Sequence, residues 1–99
     1  MIIGRVAVAG HSMAPTLRDG EYVLYTTLLQ PRQGDIVVTR DPQDESRWLV
    51  KRVRAVRTDA IDVAGDFVDD AHDAGWVPRG ALVGRVVFRY WPPSRAGFV

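Results

Sequence analysis

The sequence predicts an all-β protein: one small domain of mostly antiparallel strands in coiled or packed sheets. Several segments alternate apolar and polar residues with the period of two that is typical of β strands. Glycine, proline and aspartate clusters separate these segments as turns. No segment shows sustained helical periodicity or an internal repeat, and 99 residues is the size of a single domain. We therefore treat residues 1–99 as one domain.

The predicted strands follow one another along the chain. Residues 2–9 form an N-terminal strand that places Ile2, Val6 and Val8 on one face. The other predicted strands cover residues 21–27, 36–40, 48–56, 60–63 and 82–90, and a polar hairpin at 41–46 joins two of them. The last strand ends before Pro92, because proline cannot donate a hydrogen bond to a sheet.

Composition excludes several classes of function. The net charge of +1 gives no reason to expect a nucleic-acid partner, and the lack of cysteine excludes a disulfide framework and a thiol nucleophile. No apolar run approaches the roughly 20 residues of a transmembrane helix. Gly4 and Arg5 interrupt the apolar N-terminus at once. We expect a cytoplasmic protein without a transmembrane anchor, able to make peripheral membrane contact.

Lys51 is the first candidate for chemistry. Thirteen residues are lysine or arginine, and Lys51 is the only lysine among them. Unlike arginine, lysine can lose its proton when it is buried. Alternation in residues 48–56 places Lys51 on the face of Leu49 and Val53, and leaves Arg52 and Arg54 in solvent. A desolvated amine can serve as a general base; the alternative is an edge charge that reaches water along its methylene stem.

Ser12 is the second candidate. It follows the apolar N-terminal strand and begins the turn Ser12-Met13-Ala14-Pro15-Thr16-Leu17, so its hydroxyl would lie at the end of a strand, open to a ligand. Serine is also common in ordinary turns, and on its own it indicates little. With Lys51 it forms a candidate nucleophile and base.

Blocks of sequence along nearly the whole chain resemble the type I signal peptidase family. They are Ser12-Met13-Ala14-Pro15-Thr16-Leu17, Gly34-Asp35-Ile36-Val37-Val38, Val50-Lys51-Arg52-Val53, Gly65-Asp66, Val77-Pro78, Val83-Gly84-Arg85-Val86 and Tyr90-Trp91-Pro92. Both their order and their spacing match. The resemblance implies the coiled β fold that these enzymes share with LexA-type repressors, a serine–lysine dyad and no cofactor. It covers the catalytic core and not the membrane anchors of typical members.

The resemblance also assigns roles to individual residues. Ser12 is the nucleophile and Lys51 the base. The segment Val8, Ala9, Gly10, Ser12 and Met13 supplies the oxyanion hole and the strand beside which a precursor protein binds in extended form. The small residues Ala7, Ala9 and Gly10 leave shallow room for a small side chain before the scissile bond. Gly65 and Asp66 support the dyad.

Two departures from the family pattern favour an alternative. Gly10 stands where relatives often have a hydroxyl donor to the oxyanion, and losing one such donor costs on the order of 100-fold in rate. Phe67 replaces the asparagine that usually follows Gly65-Asp66, and the segment to Trp76 is shorter and offers no serine or arginine. A peptide-binding scaffold with feeble catalysis therefore remains an alternative.

Two further interpretations are weaker. His11 neighbours Ser12, but adjacent residues of an extended chain point to opposite faces, so we do not expect it in catalysis. The acidic loop with Asp66, Asp69, Asp70, His72 and Asp73 has metal-ligand chemistry, although its spacing matches no calcium loop and a solvated loop is expected, with no metal.

The predicted function is a serine endopeptidase that removes a leader or signal segment from a precursor. The Val83–Pro92 ending and the arginine bias are most similar to the small nickel-type superoxide dismutase maturation proteases. A LexA-type self-cleaving domain is another alternative, but no cleavable stretch and no DNA-binding partner domain is apparent.

Overall fold

The computed structural model describes residues 3–67 and 75–99. Strands are the main secondary structure of the described chain, and its helices are single turns, which confirms the all-β prediction. The strands are β1 (Ile3–Ala7), β2 (Tyr22–Thr26), β3 (Ile36–Asp41), β4 (Asp44–Val56), β5 (Ala60–Ala64), β6 (Gly75–Pro78), β7 (Leu82–Trp91) and β8 (Gly97–Phe98). Two single-turn 3-10 helices, Arg79–Ala81 and Pro93–Arg95, flank β7.

All eight strands belong to one antiparallel sheet. Their order is β1-β2-β7-β3-β4-β5-β6, and β8 pairs with β7. The two outer strands of this order nevertheless approach each other, because Ala7 of β1 and Val77 of β6 line the same cleft. The sheet therefore curls round, as the sequence predicted for a coiled sheet.

The central strand β3 is buried on both faces. Ile36, Val38 and Val50 belong to a core with Met13 and Leu17. Val37, the neighbour of Val38, belongs instead to a second core, whose other members are Val53, Ile61, Val63 and Val77. Successive strand residues point to opposite faces, so β3 joins two cores across the sheet.

Several element boundaries differ from the prediction. β4 begins at Asp44, so that much of the predicted hairpin continues the strand. The short strands β6 and β8 were not predicted, because four and two residues are too few to show an alternating pattern. Val6 and Val8 are half-buried and buried as expected, whereas Ile2 lies outside the described residues. No helix in the described part of the chain has the length and hydropathy to cross a membrane.

Candidate active site

A cleft of about 480 Å³ brings the two candidate residues together. One wall is formed by residues 7–12, which lead into the turn that carries Ser12; residues 11–17 are called the serine turn below. The opposite wall is formed by β4, including Lys51. Ser12 and Lys51 are far apart in sequence, and the fold brings both to the lining of one cleft.

Lys51 is 2% exposed, which confirms the prediction that it points inward. It pairs with Val37 across β3 and β4, while Val50 pairs with Val38. By alternation Lys51 shares its face with Val53, a member of the second core. Because the strand is paired and its apolar neighbours are buried, Lys51 lies away from bulk water although it lines the cleft.

Ser12 lies on a turn that is anchored by its neighbours. Met13 and Leu17 are 1% and 0% exposed, and both pack into the first core. Two hydrogen bonds close the turn: the N–H of Ala14 donates to the carbonyl of His11 (3.0 Å), and that of Leu17 to Met13 (2.9 Å). The buried side chains fix the turn from below, and Ser12 itself stays half-buried at the edge of the cleft.

Gly65 and Asp66 lie against the serine turn, where the sequence had predicted dyad support. A Cβ on Gly65 would meet the carbonyl oxygen of Ser12, so the two backbones are in contact. The N–H of Phe67 donates to that same carbonyl at 2.9 Å. Position 67 therefore acts on the serine turn through its backbone, which is independent of the replacement of asparagine by phenylalanine.

The Asp66 carboxylate connects the serine turn to the lysine strand. The Thr16 hydroxyl donates to it at 2.7 Å, and Arg52, the residue after Lys51, donates at 2.6 and 3.1 Å. The hydrogen bond from Arg52 lowers the pKa of Asp66 against the opposing effect of burial, and Thr16 lowers it further. The same contact raises the pKa of Arg52. The prediction that Arg52 lies in solvent was wrong: it is half-buried, because Asp66 holds it; Arg54 is exposed as predicted.

The other side of the serine turn contacts a second charged cluster. Glu21, only 3% exposed, binds the guanidinium groups of Arg89 and Arg95. Burial alone would raise the pKa of Glu21, but the hydrogen bond from Arg95, the N–H of Arg18 and the two guanidinium charges together lower it. Both arginines also donate to the carbonyl of Thr16, at 2.7 and 3.3 Å.

The wall that contains Ser12 has a free strand edge. Val8 directs both backbone groups toward the β2 side, since its N–H donates to Glu21 and its carbonyl accepts from Gly20 (2.8 Å each). Backbone groups of successive strand residues alternate in direction, so those of Ala7 and Ala9 point away from β2. Across the cleft, β5 pairs with β4 only from Arg52 onward in the described residues, so the strand pairing given for Trp48–Val50 is with β3.

The remaining predicted residues have distinct surroundings. Gly10 has a φ of 82°, a left-handed conformation that favours glycine, and its N–H donates to Asp19 at 2.8 Å. His11 is exposed at the mouth of the cleft. Of the acidic loop, Asp69, Asp70, His72 and Asp73 lie outside the described residues, and Asp66 is engaged by Arg52. No group of ligands suited to a metal is present in residues 3–67 and 75–99.

Sequence reasoning missed Thr16, Arg52, Glu21, Arg89 and Arg95 as neighbours of the site. Arg89 had a recognisable signal, because alternation in β7 places it on the face of Val83 and Val87, where a solvated arginine is not expected. Thr16 and Glu21 show no such signal in the sequence, since both are common residue types in turns and strands.

Comparisons with known proteins agree with this geometry. Residues 1–69 match the family model described as signal peptidase, peptidase S26. Mitochondrial ATP-independent inner membrane protease subunit 1b of Arabidopsis thaliana is 31% identical over 91% of this chain and 72% of its own length. Mitochondrial inner membrane protease subunit 1 of Mus musculus is 29% identical over 97% and 74%, respectively. Signal peptidase I of Streptococcus pneumoniae serotype 4 is 39% identical over 66% of this chain and 32% of its own length. The chain belongs to the signal peptidase family of proteases, peptidase S26.

Proposed function

We propose that this chain is a serine endopeptidase in which Ser12 is the nucleophile and Lys51 the general base. The observation that carries the proposal is the burial of Lys51, 2% exposed, in the cleft that Ser12 also lines. A lysine amine kept from bulk water is a group that can serve as general base to a serine hydroxyl. Membership of a protease family supports the same chemistry.

The proposed reaction uses protein groups and water. Lys51, acting as general base, takes the Ser12 proton as the serine oxygen attacks the peptide carbonyl carbon. The resulting lysine ammonium returns this proton to the leaving amine when the peptide bond breaks. The acyl group remains as an ester on Ser12, and water, deprotonated by Lys51, hydrolyses it to free acid and serine.

The oxyanion of the intermediate is placed near the Ser12 N–H. The residue two positions earlier, Gly10, has no side-chain donor, and its own N–H is already bonded to Asp19. A water molecule would supply the second donor. The left-handed φ of Gly10 explains the glycine at this position, since a side chain there would be strained.

The substrate is proposed to bind as an added strand in the cleft. The outward backbone groups of Ala7 and Ala9 would face one side of such a strand, and Trp48–Val50 of β4, which line the same cleft, would face the other. Val8 and Val50 belong to the first core and also line the cleft, so part of its surface is apolar, and Ala7, Ala9 and Gly10 add only small side chains. We therefore propose a precursor protein with a small residue before the scissile bond.

The site of action is proposed to be a membrane surface. The mitochondrial relatives are inner membrane proteases by name, which supports peripheral membrane contact in this chain. The cytoplasmic location remains a prediction. Maturation of a nickel-type superoxide dismutase is the narrower proposal, and it depends on the resemblance of the Val83–Pro92 segment.

Cleavage of leader-bearing precursors tests the proposal. The parent protein, Ser12→Ala and Lys51→Arg are incubated with each candidate precursor, and the products are identified by mass. Cleavage by the parent and by neither variant is expected. Ser46→Ala, which removes an exposed hydroxyl on the β4 hairpin, is the matched control and should cleave as the parent does. Equal cleavage by the parent and Lys51→Arg would refute the dyad.

The peptide-binding scaffold is the second candidate, and Gly10 and Phe67 favour it. It predicts that precursors bind to the parent, Ser12→Ala and Lys51→Arg with equal affinity and that none cleaves them. A LexA-type self-cleaving domain predicts instead a mass loss in the stored protein alone.

A further inference from the structure

A charged cluster behind the serine turn has no role in the chemistry described above. It consists of Glu21, Arg89 and Arg95, and is called the arginine clamp here. Side-chain exposures are 4% for Glu21, 14% for Arg89 and 28% for Arg95. The N–H groups of such poorly exposed guanidinium groups need hydrogen-bond acceptors within the protein. The residues that supply these acceptors indicate which segment the clamp holds in place.

Most of these acceptors belong to the serine turn or to Glu21. Arg89 donates to the Thr16 carbonyl at 2.7 Å, and Arg95 donates to the same oxygen at 3.3 Å and to the Pro15 carbonyl at 3.4 Å. Glu21 binds Arg95 at 2.5 Å and Arg89 at 3.3 Å. Glu21 also accepts the N–H of Arg18, just past the turn, at 2.8 Å.

Arg89 is also bound to the backbone of Arg95. Arg89 donates through Nε to the carbonyl of Arg95 at 2.6 Å. This hydrogen bond joins β7 to the following 3-10 helix, Pro93–Arg95, and both of these segments also contact the serine turn. Since a guanidinium is a rigid planar fork, its bonds fix direction as well as distance.

Thr16 is held from two sides. Its hydroxyl donates to Asp66, which Arg52 ties to the lysine strand, and its carbonyl accepts from Arg89 and Arg95 of the clamp. The backbone of the serine turn is therefore positioned between the strand that carries Lys51 and the C-terminal segment. Arg89 and Arg95 lie beyond residues 1–69, the part that matches the family model.

We propose that Glu21, Arg89 and Arg95 are positioning residues that hold Ser12 at the distance and orientation from which Lys51 can accept its proton. This inference rests on the proposed dyad. The side-chain hydrogen bonds of Arg89 and Arg95 to the backbone of the serine turn are made at Pro15 and Thr16, so we expect the clamp to act mainly on the position of the reacting oxygen. A small misplacement of a nucleophile can cost up to about 10²-fold in rate.

Arg89→Lys is the decisive variant. Lysine keeps the positive charge beside Glu21, but a single ammonium cannot reproduce the fork that joins the Thr16 and Arg95 carbonyls. Hydrolysis is measured with a short peptide ester that carries alanine on the acyl side. We expect kcat to fall by about 10-fold to 10²-fold while KM stays within about twofold.

Arg85→Lys is the matched control. Arg85 lies on the same face of the same strand, four residues before Arg89, and pairs with Asp35 instead of the serine turn. Its kcat and KM should equal those of the parent. A fall in kcat for Arg85→Lys as large as for Arg89→Lys would show a general weakening of β7 and would overturn the inference.

Amide hydrogen exchange tests the clamp without reference to activity. Arg89→Lys should speed exchange at the Ala14 and Leu17 N–H groups, whose bonds close the serine turn, and leave Val53 in the second core unchanged. Unchanged exchange in the turn, or faster exchange in both regions, would overturn a positioning role. If the parent hydrolyses no ester, the proposed dyad fails, and the exchange result alone decides whether the clamp holds the turn.

Discussion

The two sides of the cleft hold their residues by different physical means. Lys51 lies in a regular strand, paired with Val37 and buried among apolar side chains. Ser12 lies in an irregular turn that charged groups hold in place, through Asp66 on one side and the arginine clamp on the other. The lysine is therefore positioned by the sheet and the serine by side chains that are distant in sequence.

This difference has a consequence for mutation. Changes near Lys51 should alter chemistry with little loss of fold, because the sheet remains. Changes at the contacts of the serine turn should lower both stability and rate, because the same hydrogen bonds serve both. The predictions below run from the largest expected effect to the smallest.

Lys51→Met should abolish cleavage without unfolding the protein. Methionine keeps nearly the same volume and an unbranched stem, so the β3–β4 pairing and the packing around position 51 should be retained. We expect kcat/KM to fall on the order of 10³-fold, while urea unfolding still shows a cooperative transition of a folded protein. Arg54→Met is the control on the same strand, since the Arg54 side chain is 53% exposed. Retention of more than about a tenth of the parent activity would remove Lys51 from the mechanism.

Gly65→Ala should lower both the stability of the protein and the rate of cleavage, because Gly65 contacts the serine turn. Its new methyl group would press on the backbone carbonyl of Ser12, which cannot yield as a flexible side chain could. We expect a loss of about 1–3 kcal/mol in the free energy of unfolding and roughly a 10-fold lower kcat. Gly80→Ala is the control, because no atom lies within 4 Å of a Cβ there. Parent-like stability and rate in Gly65→Ala would show that the turn tolerates displacement.

Asp66→Asn should lower the free energy of unfolding more than the loss of an ordinary surface ion pair does. Asp66 accepts three hydrogen bonds from Thr16 and Arg52, whereas Asp62 of similar exposure pairs with the exposed Arg54. We expect urea unfolding to show a loss of about 1–2 kcal/mol for Asp66→Asn and less than about 1 kcal/mol for Asp62→Asn. Equal losses would show that the Asp66 link adds nothing special to the turn.

Glu21→Gln should change how stability depends on pH. The folded-state pKa of Glu21 lies below its ordinary value of 4.5, so its contribution is present above pH 4.5 and is lost as pH falls through the folded pKa. The variant should be less stable than the parent at pH 7, and the difference should narrow below pH 4.5. Thermal unfolding at several pH values measures this, and a gap of constant size would contradict the assignment.

The lysine side was predictable from the sequence and the serine side only in part. Alternation over residues 48–56 identified the inward face of Lys51. The position of Ser12 depends on contacts between the serine turn and residues up to 80 positions away, such as that between Pro15 and Arg95, and no local sequence pattern predicts them. The same reason explains the error at Arg52, whose partner Asp66 is 14 residues distant.

The fold was predictable where strands are long. Six strands were expected with boundaries close to those observed, because their alternation extends over several residues. β6 and β8 were missed because they are held by pairing with β5 and β7 and not by their own sequence. In the sequence, Gly10 indicates only that a hydroxyl donor is missing. The structure gives a physical reason for glycine at this position, because the backbone is left-handed there.

Trapping of an acyl-enzyme tests the central claim most directly, since it asks whether Lys51 activates Ser12 whatever the natural substrate. The parent and Lys51→Met are mixed with the alanyl peptide ester, quenched in acid and mapped by mass spectrometry. The account predicts an acyl group on Ser12 in the parent and none on Ser12 in Lys51→Met. Equal acylation of Ser12 in both proteins, or no acylation of Ser12 in the folded parent, would contradict it.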